Sequence, residues 1–154
     1  MLFWLPVIIR PHAYNGRLDI EGKYYRAPAS VEHLMDDACI RVDSAQMYHN
    51  ERESGKAIAD FLSSEANTQS LKREDIHFTS KLASNSAYET ARKAIKKSVK
   101  EAGLGYIDLF LLHSPYGGKQ ARLDSWKAVE DAINDGEVKI GGVSNYGVKH
   151  VRRP

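Results

Sequence analysis

Polar residues follow the predicted strands of this sequence at nearly constant spacing. Asp43, Lys81 and His113 are separated by 38 and 32 residues, and the pair Ser144 and Asn145 begins 31 residues after His113. Each interval has the length of one unit of strand and helix. In parallel α/β proteins the carboxyl ends of the strands lie at one edge and carry ligands and catalytic groups. These side chains are therefore expected to converge on one site.

Tyr48 adds a phenol to this set, because it lies five residues after Asp43. A phenol has an ordinary pKa of about 10 and donates protons poorly at neutral pH, but a neighbouring ammonium such as Lys81 lowers that pKa. Asp43 would hold the lysine, and His113 would hydrogen-bond the same substrate oxygen. The combination suits protonation of a carbonyl oxygen while a hydride reaches the carbon, and only a cofactor can supply that hydride.

Each of these residues also has a purely structural explanation. Asp43 would be a helix or turn cap, Lys81 a solvated strand end, and His113 a turn residue before Pro115. Their coincidence at equivalent positions in consecutive units favours a shared site.

Alternating hydrophobic periods predict the elements that must position these residues. Strands are expected at residues 39–42, 76–79, 106–112 and 138–143, and helices at 31–38, 53–63, 86–102 and 125–134. Ser30 is a candidate N-cap for the first helix, and Gly103 is placed to end the third. The order predicts a parallel α/β sheet with right-handed crossovers. It leaves open a doubly wound sheet and part of a (β/α)8 barrel.

Composition excludes several classes of protein. The chain has 154 residues, 22 Lys+Arg against 20 Asp+Glu and 42% hydrophobic residues, as in an ordinary globular domain. The sequence contains no block of basic residues, which argues against nucleic-acid binding. A single cysteine, Cys39, cannot form an intrachain disulfide, and no Cys/His spacing suggests a metal site, so a reducing, cytoplasmic location is expected. Pro6 interrupts the apolar run at residues 1–9, which is too short to span a membrane.

Five motifs, in this order along the chain, resemble the aldo-keto reductase superfamily. They read VDSAQMYHNE at 42–51, TSKL at 79–82, LLHSP at 111–115, WKAVE at 126–130 and GVSNY at 142–146. The resemblance implies a (β/α)8 TIM barrel, of which this chain would form about the first half as a truncated member. Residues 1–29 would be a divergent N-terminal segment, and residues 30–154 the partial barrel domain.

The resemblance also implies roles for the residues at the strand ends. Tyr48 would be the proton donor, Lys81 the group that tunes it, Asp43 the partner of Lys81, and His113 the residue that orients the substrate. Substrate would thus contact Tyr48 and His113. The expected substrates are aldehydes and ketones, including sugars.

The cofactor implied by the resemblance is NADPH. Asp43, Ser144 and Asn145 would lie at the cofactor, with Ser144 and Asn145 on the nicotinamide carboxamide. In the family, later strands and loops hold the adenosine and phosphate part, and these follow the position of Pro154. Residues 38–42 read ACIRV where the family commonly has a Gly-Tyr-Arg-His-Ile type of approach, and no glycine-rich first strand is clear in residues 1–24.

Three interpretations follow from the sequence. The first is an NAD(P)H-dependent carbonyl reductase. The second is a truncated, inactive relative or interaction module that keeps the catalytic set, cannot hold the cofactor and self-associates through exposed strand edges. The third is an unrelated doubly wound nucleotide-binding domain, which would leave the five motifs unexplained.

Overall fold

The computed structural model describes residues 41–151 of the chain. Strands and helices alternate along this range: β1 (Arg41–Asp43), α1 (Glu51–Leu62), β2 (His77–Leu82), α2 (Tyr88–Ala102), β3 (Ile107–Leu112), α3 (Gly118–Asn134), β4 (Val138–Val143) and α4 (Val148–Val151). Two short 3₁₀ turns occur at Gln46–Tyr48 and Arg73–Asp75. The predicted helix at 31–38 and the segment 1–29 lie outside the described residues.

The four strands form one parallel sheet in the order β1-β2-β3-β4. Each strand therefore lies beside the one that precedes it in the chain. A doubly wound sheet reverses its strand order at a switch point, whereas a (β/α)8 barrel adds strands sequentially. The predicted parallel α/β sheet is confirmed, and its order is that of a barrel.

The hydrophobic core lies between the sheet and the helices. Phe78 of β2 and Phe110 of β3 are fully buried, and they belong to the same cluster as Ile58 of α1, Ile95 of α2 and Val129 of α3. Full burial of one such side chain contributes roughly 1.5–3 kcal/mol. The apolar stripes predicted for these helices therefore do pack against the sheet. Gly103 has a left-handed φ of 64° and ends α2, as predicted.

Two predicted boundaries are wrong by three residues or more. The strand expected at 76–79 continues to Leu82, so Lys81 lies inside β2 rather than after it. The helix expected at 125–134 begins at Gly118. Both extensions consist largely of polar residues, and hydrophobic periodicity gives no signal there. In β2 the ladder to β3 keeps the chain extended, since Lys81 pairs in register with Leu111.

No helix within residues 41–151 is long and apolar enough to cross a membrane.

Candidate active site

A buried ion pair forms the base of the site. Lys81 is 7% exposed, and its Nζ donates to Asp43 Oδ2 at 2.6 Å and to the Ser44 carbonyl oxygen at 2.9 Å. A buried cation is costly unless it is paired and hydrogen-bonded, so these acceptors fix the ammonium in place. The Asp43 side chain is itself 48% exposed, because β1 ends there. The lysine is thus buried while its carboxylate partner reaches solvent.

Tyr48 lies directly against this ion pair. It ends the 3₁₀ turn that follows β1, and the Nζ atom of Lys81 lies 5.1 Å from the centre of its ring. A cation within about 6 Å of an aromatic ring centre is attracted by the ring. Tyr48 is 37% exposed. The phenol is therefore held beside a fixed positive charge and is accessible from solvent.

Gln46 fixes the position of the Tyr48 turn. Its side-chain oxygen accepts a hydrogen bond from the Ala83 backbone N–H at 2.9 Å, just beyond β2. Its side-chain nitrogen donates to the Ser98 hydroxyl of α2 at 2.9 Å. The turn is thereby tied both to the strand that carries Lys81 and to the helix behind that strand. Sequence reasoning missed Gln46, and its only signal was its position inside the first motif.

His113 follows β3 and faces the phenol. The rings of Tyr48 and His113 meet edge to face with centres 5.9 Å apart. Burial lowers the pKa of His113 below its ordinary value, the charge of Lys81 lowers it further, and Asp43 opposes both effects. Its Nδ1 atom is buried without a hydrogen-bond partner in the described part of the chain. The imidazole is therefore kept neutral at neutral pH.

Ser144 and Asn145 join the end of β4 to His113. The Ser144 backbone N–H donates to the Leu112 carbonyl at 2.9 Å. Asn145 has a left-handed φ of 61°, and its amide nitrogen donates to the His113 carbonyl at 2.8 Å and to the Ser144 hydroxyl oxygen at 3.2 Å. The structure thus places the polar residues from all four strand ends at one edge of the sheet.

The hydrogen bonds of Ser144 and Asn145 decide which of their polar groups remain available to a nicotinamide. Both N–H atoms of the Asn145 amide are used, so the pair can offer a ligand the Asn145 carbonyl oxygen and the Ser144 hydroxyl proton. One acceptor and one donor are the complement of a carboxamide, which carries an N–H donor and a carbonyl acceptor. The donor set fits the carboxamide end of a nicotinamide cofactor.

A parallel sheet in sequential order, with its polar site at the carboxyl ends of the strands, is characteristic of (β/α)8 barrel proteins. The sequence model of the Aldo/keto reductase family matches residues 24–153. An uncharacterized oxidoreductase of Schizosaccharomyces pombe is 53% identical over 111 residues, which are 72% of this chain and 38% of that protein. The glyoxal reductase of Bacillus subtilis is 33% identical over 126 residues, 81% of this chain and 42% of that protein.

Solved structures show the same relationship. An aldo/keto reductase from Brucella melitensis superimposes with a TM-score of 0.64 and 34% identity, covering 72% of this chain and 41% of that one. A Bombyx mori aldo-keto reductase in complex with NADP superimposes with a TM-score of 0.63 and 29% identity, covering 72% of this chain and 38% of that one. The chain belongs to the Aldo/keto reductase family. It spans about two fifths of the length of these relatives, and its fold is the corresponding part of a (β/α)8 barrel.

Proposed function

We propose that this chain performs the proton-transfer chemistry of NAD(P)H-dependent reduction of aldehyde or ketone carbonyls to alcohols. One observation carries the proposal: a buried ammonium, held by Asp43 at 2.6 Å, lies 5.1 Å from the centre of a solvent-accessible phenol ring. Family membership supports an oxidoreductase in general. The roles of Tyr48, Lys81, Asp43 and His113 in this proposal are those that the family resemblance implies, and the geometry of the ion pair and the phenol supports them.

Tyr48 donates the proton to the carbonyl oxygen in this proposal. The phenolate left behind is negative, and the fixed charge of Lys81 stabilises it more than it stabilises the neutral phenol. Asp43 binds the ammonium from the side of β1, and the ammonium stays beside the Tyr48 ring. Positioned acid catalysis of this type contributes on the order of 10²–10⁴-fold to rate.

His113 orients the substrate in this proposal. A neutral imidazole has one N–H donor and one acceptor, so it can hydrogen-bond a carbonyl oxygen without adding a charge to the site. The lowered pKa of His113 keeps it in that neutral form. The edge-to-face contact with Tyr48, with ring centres 5.9 Å apart, supports a shared role of the two side chains at one substrate oxygen.

NADPH is the proposed cofactor, in keeping with the NADP complex of the Bombyx mori relative. When bound, it supplies the hydride that reaches the carbonyl carbon. Ser144 and Asn145 would hold its carboxamide through the donor and acceptor described above, and Asp43 would lie near the reacting end. The similarity to the glyoxal reductase of Bacillus subtilis supports a small carbonyl compound as substrate.

A fluorescence titration of NADPH with the purified chain tests the cofactor part of this proposal. Saturable quenching is expected, and Ser144→Ala and Asn145→Ala should each weaken it because each removes one carboxamide partner. Ser64→Ala, in the turn that follows α1, is the matched control and should bind like the wild type. No change in fluorescence at high protein concentration would contradict cofactor binding.

An interaction module is the second candidate function, and the exposed β4 strand favours it. Within residues 41–151, β4 pairs on one side only, with β3. A Cβ on Gly141 would lie 2.6 Å from Val129 of α3, so Gly141 faces the helices and its neighbour Ile140 faces away. Ile140 is 57% exposed. An unpaired edge beside an exposed apolar residue is a template for self-association.

Sedimentation equilibrium distinguishes this second function. Self-association through β4 predicts a dimer that Ile140→Lys dissociates, while Leu123→Lys, also at an exposed aliphatic residue, leaves it intact. A monomer at all concentrations would exclude the module.

A cytoplasmic location is supported by the single cysteine of the sequence, Cys39, which leaves no intrachain disulfide to form. The barrel-like domain is proposed to cover residues 30–154, with residues 1–29 as a separate N-terminal segment.

A further inference from the structure

A groove of about 590 Å³ opens beside His113, between the loop that follows β3 and the start of α4. It is lined by Ser114, Pro115, Tyr116, Asn145, Lys149 and His150. Ser114 is the residue after His113, and Asn145 is bonded to the His113 carbonyl. The groove therefore opens directly beside the loop that carries His113.

The wall on the β3 side is fixed by hydrogen bonds from two other elements. The Asn85 amide nitrogen, from the loop after β2, donates to the Ser114 and Tyr116 carbonyls, each at 2.7 Å. Arg122 of α3 donates to the Pro115 carbonyl at 3.1 Å. A wall held at three consecutive carbonyls can present its side chains to a ligand without being reordered on binding.

Gly117 allows this wall to approach Asn85 closely. Its φ of 98° is in the left-handed region, and a Cβ there would lie 3.1 Å from the Asn85 backbone oxygen. The turn that carries Tyr116 is thus packed against the loop after β2.

The wall on the α4 side is basic. The Gly147 backbone N–H donates to His150 Nδ1 at 3.1 Å, so Nε2 carries the proton that His150 can donate to a ligand. Lys149 adds an exposed ammonium, and the hydroxyls of Ser114 and Tyr116 add two more donors. None of the described residues that line the groove is acidic.

We propose that this groove binds an oxyanion group, a carboxylate or a phosphate, at the far end of the carbonyl substrate. The proposal rests on the proposed function, which accounts for the half of the substrate that carries the carbonyl. The substrate class is then short aldehydes or ketones with a negatively charged end. Lys149 pairs with the oxyanion, and His150 and the two hydroxyls donate hydrogen bonds to it. Charge-assisted bonds of this kind are stronger than neutral ones, and a lining with a cation and no acidic side chain suits an anion.

Binding of succinate, observed by NMR of the labelled chain, tests the groove without any need for activity. Saturable shifts are expected at the Lys149 and His150 signals with succinate, and none with uncharged succinamide. Lys149→Met should weaken succinate binding about tenfold, as expected for loss of a charge-assisted contact. Lys96→Met is the matched control, because it removes the same charge from an exposed position of α2 and should bind succinate like the wild type.

Equal weakening in both variants would mean that only net charge matters and would overturn the proposal. Absence of saturable succinate binding would overturn it as well.

A second experiment compares the reduction of succinic semialdehyde, which has a carboxylate, with that of uncharged butanal. The ratio of their kcat/KM values should fall about tenfold in Lys149→Met and remain at the wild-type value in Lys96→Met. If neither aldehyde is reduced, the proposed function fails, while the succinate titration still decides the groove.

The phosphates of the dinucleotide are a second source of oxyanions, and NADPH titration distinguishes them from the charged end of the substrate. The affinity of Lys149→Met for NADPH should equal that of the wild type. Weaker NADPH binding, with an unchanged ratio for the two aldehydes, would assign the groove to the cofactor and overturn the proposal.

Discussion

The two ends of the parallel sheet contain the same types of side chain, and they differ in which groups reach solvent. At the amino ends, Arg73 pairs with Asp108 at 2.7 Å and lies 4.1 Å from the centre of the Tyr106 ring. Arg73 also donates to the carbonyls of Leu104, Ile76 and Tyr106. Both partners of this ion pair are largely buried, with side chains 17% and 15% exposed.

At the carboxyl ends the cation is buried but its partners are not. Lys81 pairs with Asp43 at 2.6 Å and lies against Tyr48, and both of these side chains reach solvent. Each end also has a histidine, His77 or His113, whose pKa is lowered mainly by burial. The amino end thus holds strands and loops together, while at the carboxyl end a tyrosine beside a fixed charge is open to solvent.

The largest expected effect is a difference in reduction rate between variants of Tyr48, at the carboxyl end, and Tyr106, at the amino end. Tyr48→Phe should lower the rate of NADPH-dependent aldehyde reduction by roughly 10²–10⁴-fold, because it removes the proton donor and keeps the ring. Tyr106→Phe, the matched change at the amino end, should leave the rate near that of the wild type. Steady-state NADPH oxidation measures both. Similar rates in the two variants would remove Tyr48 from its assigned role.

The next effect is the loss of stability when Arg73, the largely buried cation of the amino end, is replaced, compared with the loss for the exposed Arg52. Arg73→Met should lower the free energy of unfolding by about 2–3 kcal/mol, because it leaves Asp108 without its cation and three partly buried carbonyls without the guanidinium donor. Arg52→Met, which breaks an exposed ion pair with Glu101, should cost less than about 1 kcal/mol. Urea denaturation gives both values. A loss no greater for Arg73→Met than for Arg52→Met would contradict a structural role for the amino end.

A smaller effect concerns the electrostatics around His113. Lys81 lowers the pKa of His113 and Asp43 raises it, so Lys81→Met should raise that pKa and Asp43→Asn should lower it further. An NMR titration of the His113 ring protons measures the two opposite shifts. Shifts in the same direction would mean that the three groups do not interact as the structure shows.

The smallest effect is the pH dependence of stability. His77 and His113 have pKa values below their ordinary value of 6.5, so the unfolded chain binds more protons than the folded one once the pH falls below that value. The free energy of unfolding should therefore decrease as the pH falls from 6.5 through the two lowered pKa values. His77→Gln and His113→Gln should each reduce this slope. A slope unchanged in both variants would exclude these histidines as its source.

The sequence predicted the convergence of the strand ends because a repeated unit of strand and helix fixes the topology. Once the strands are parallel, the spacing of Asp43, Lys81 and His113 places them at one edge. Boundaries were less predictable, since Lys81 lies inside β2 in a polar stretch with no hydrophobic period.

The residues that support the site were not predictable from local pattern. Gln46 bonds to Ser98, and Asn85 bonds to Ser114 and Tyr116. These partners are far away in the sequence and become neighbours only when the helices and loops pack. A polar residue in a loop gives the same sequence signal whether or not it has such a partner.

Deuterium transfer tests the central claim most directly. The chain would be mixed in excess with an aldehyde and NADPH dideuterated at C4, and the alcohol product analysed by mass spectrometry. The account predicts an alcohol carrying one deuterium with the wild type and only background labelling with Tyr48→Phe. No labelled alcohol from the wild type, or equal labelling from the two proteins, would contradict it.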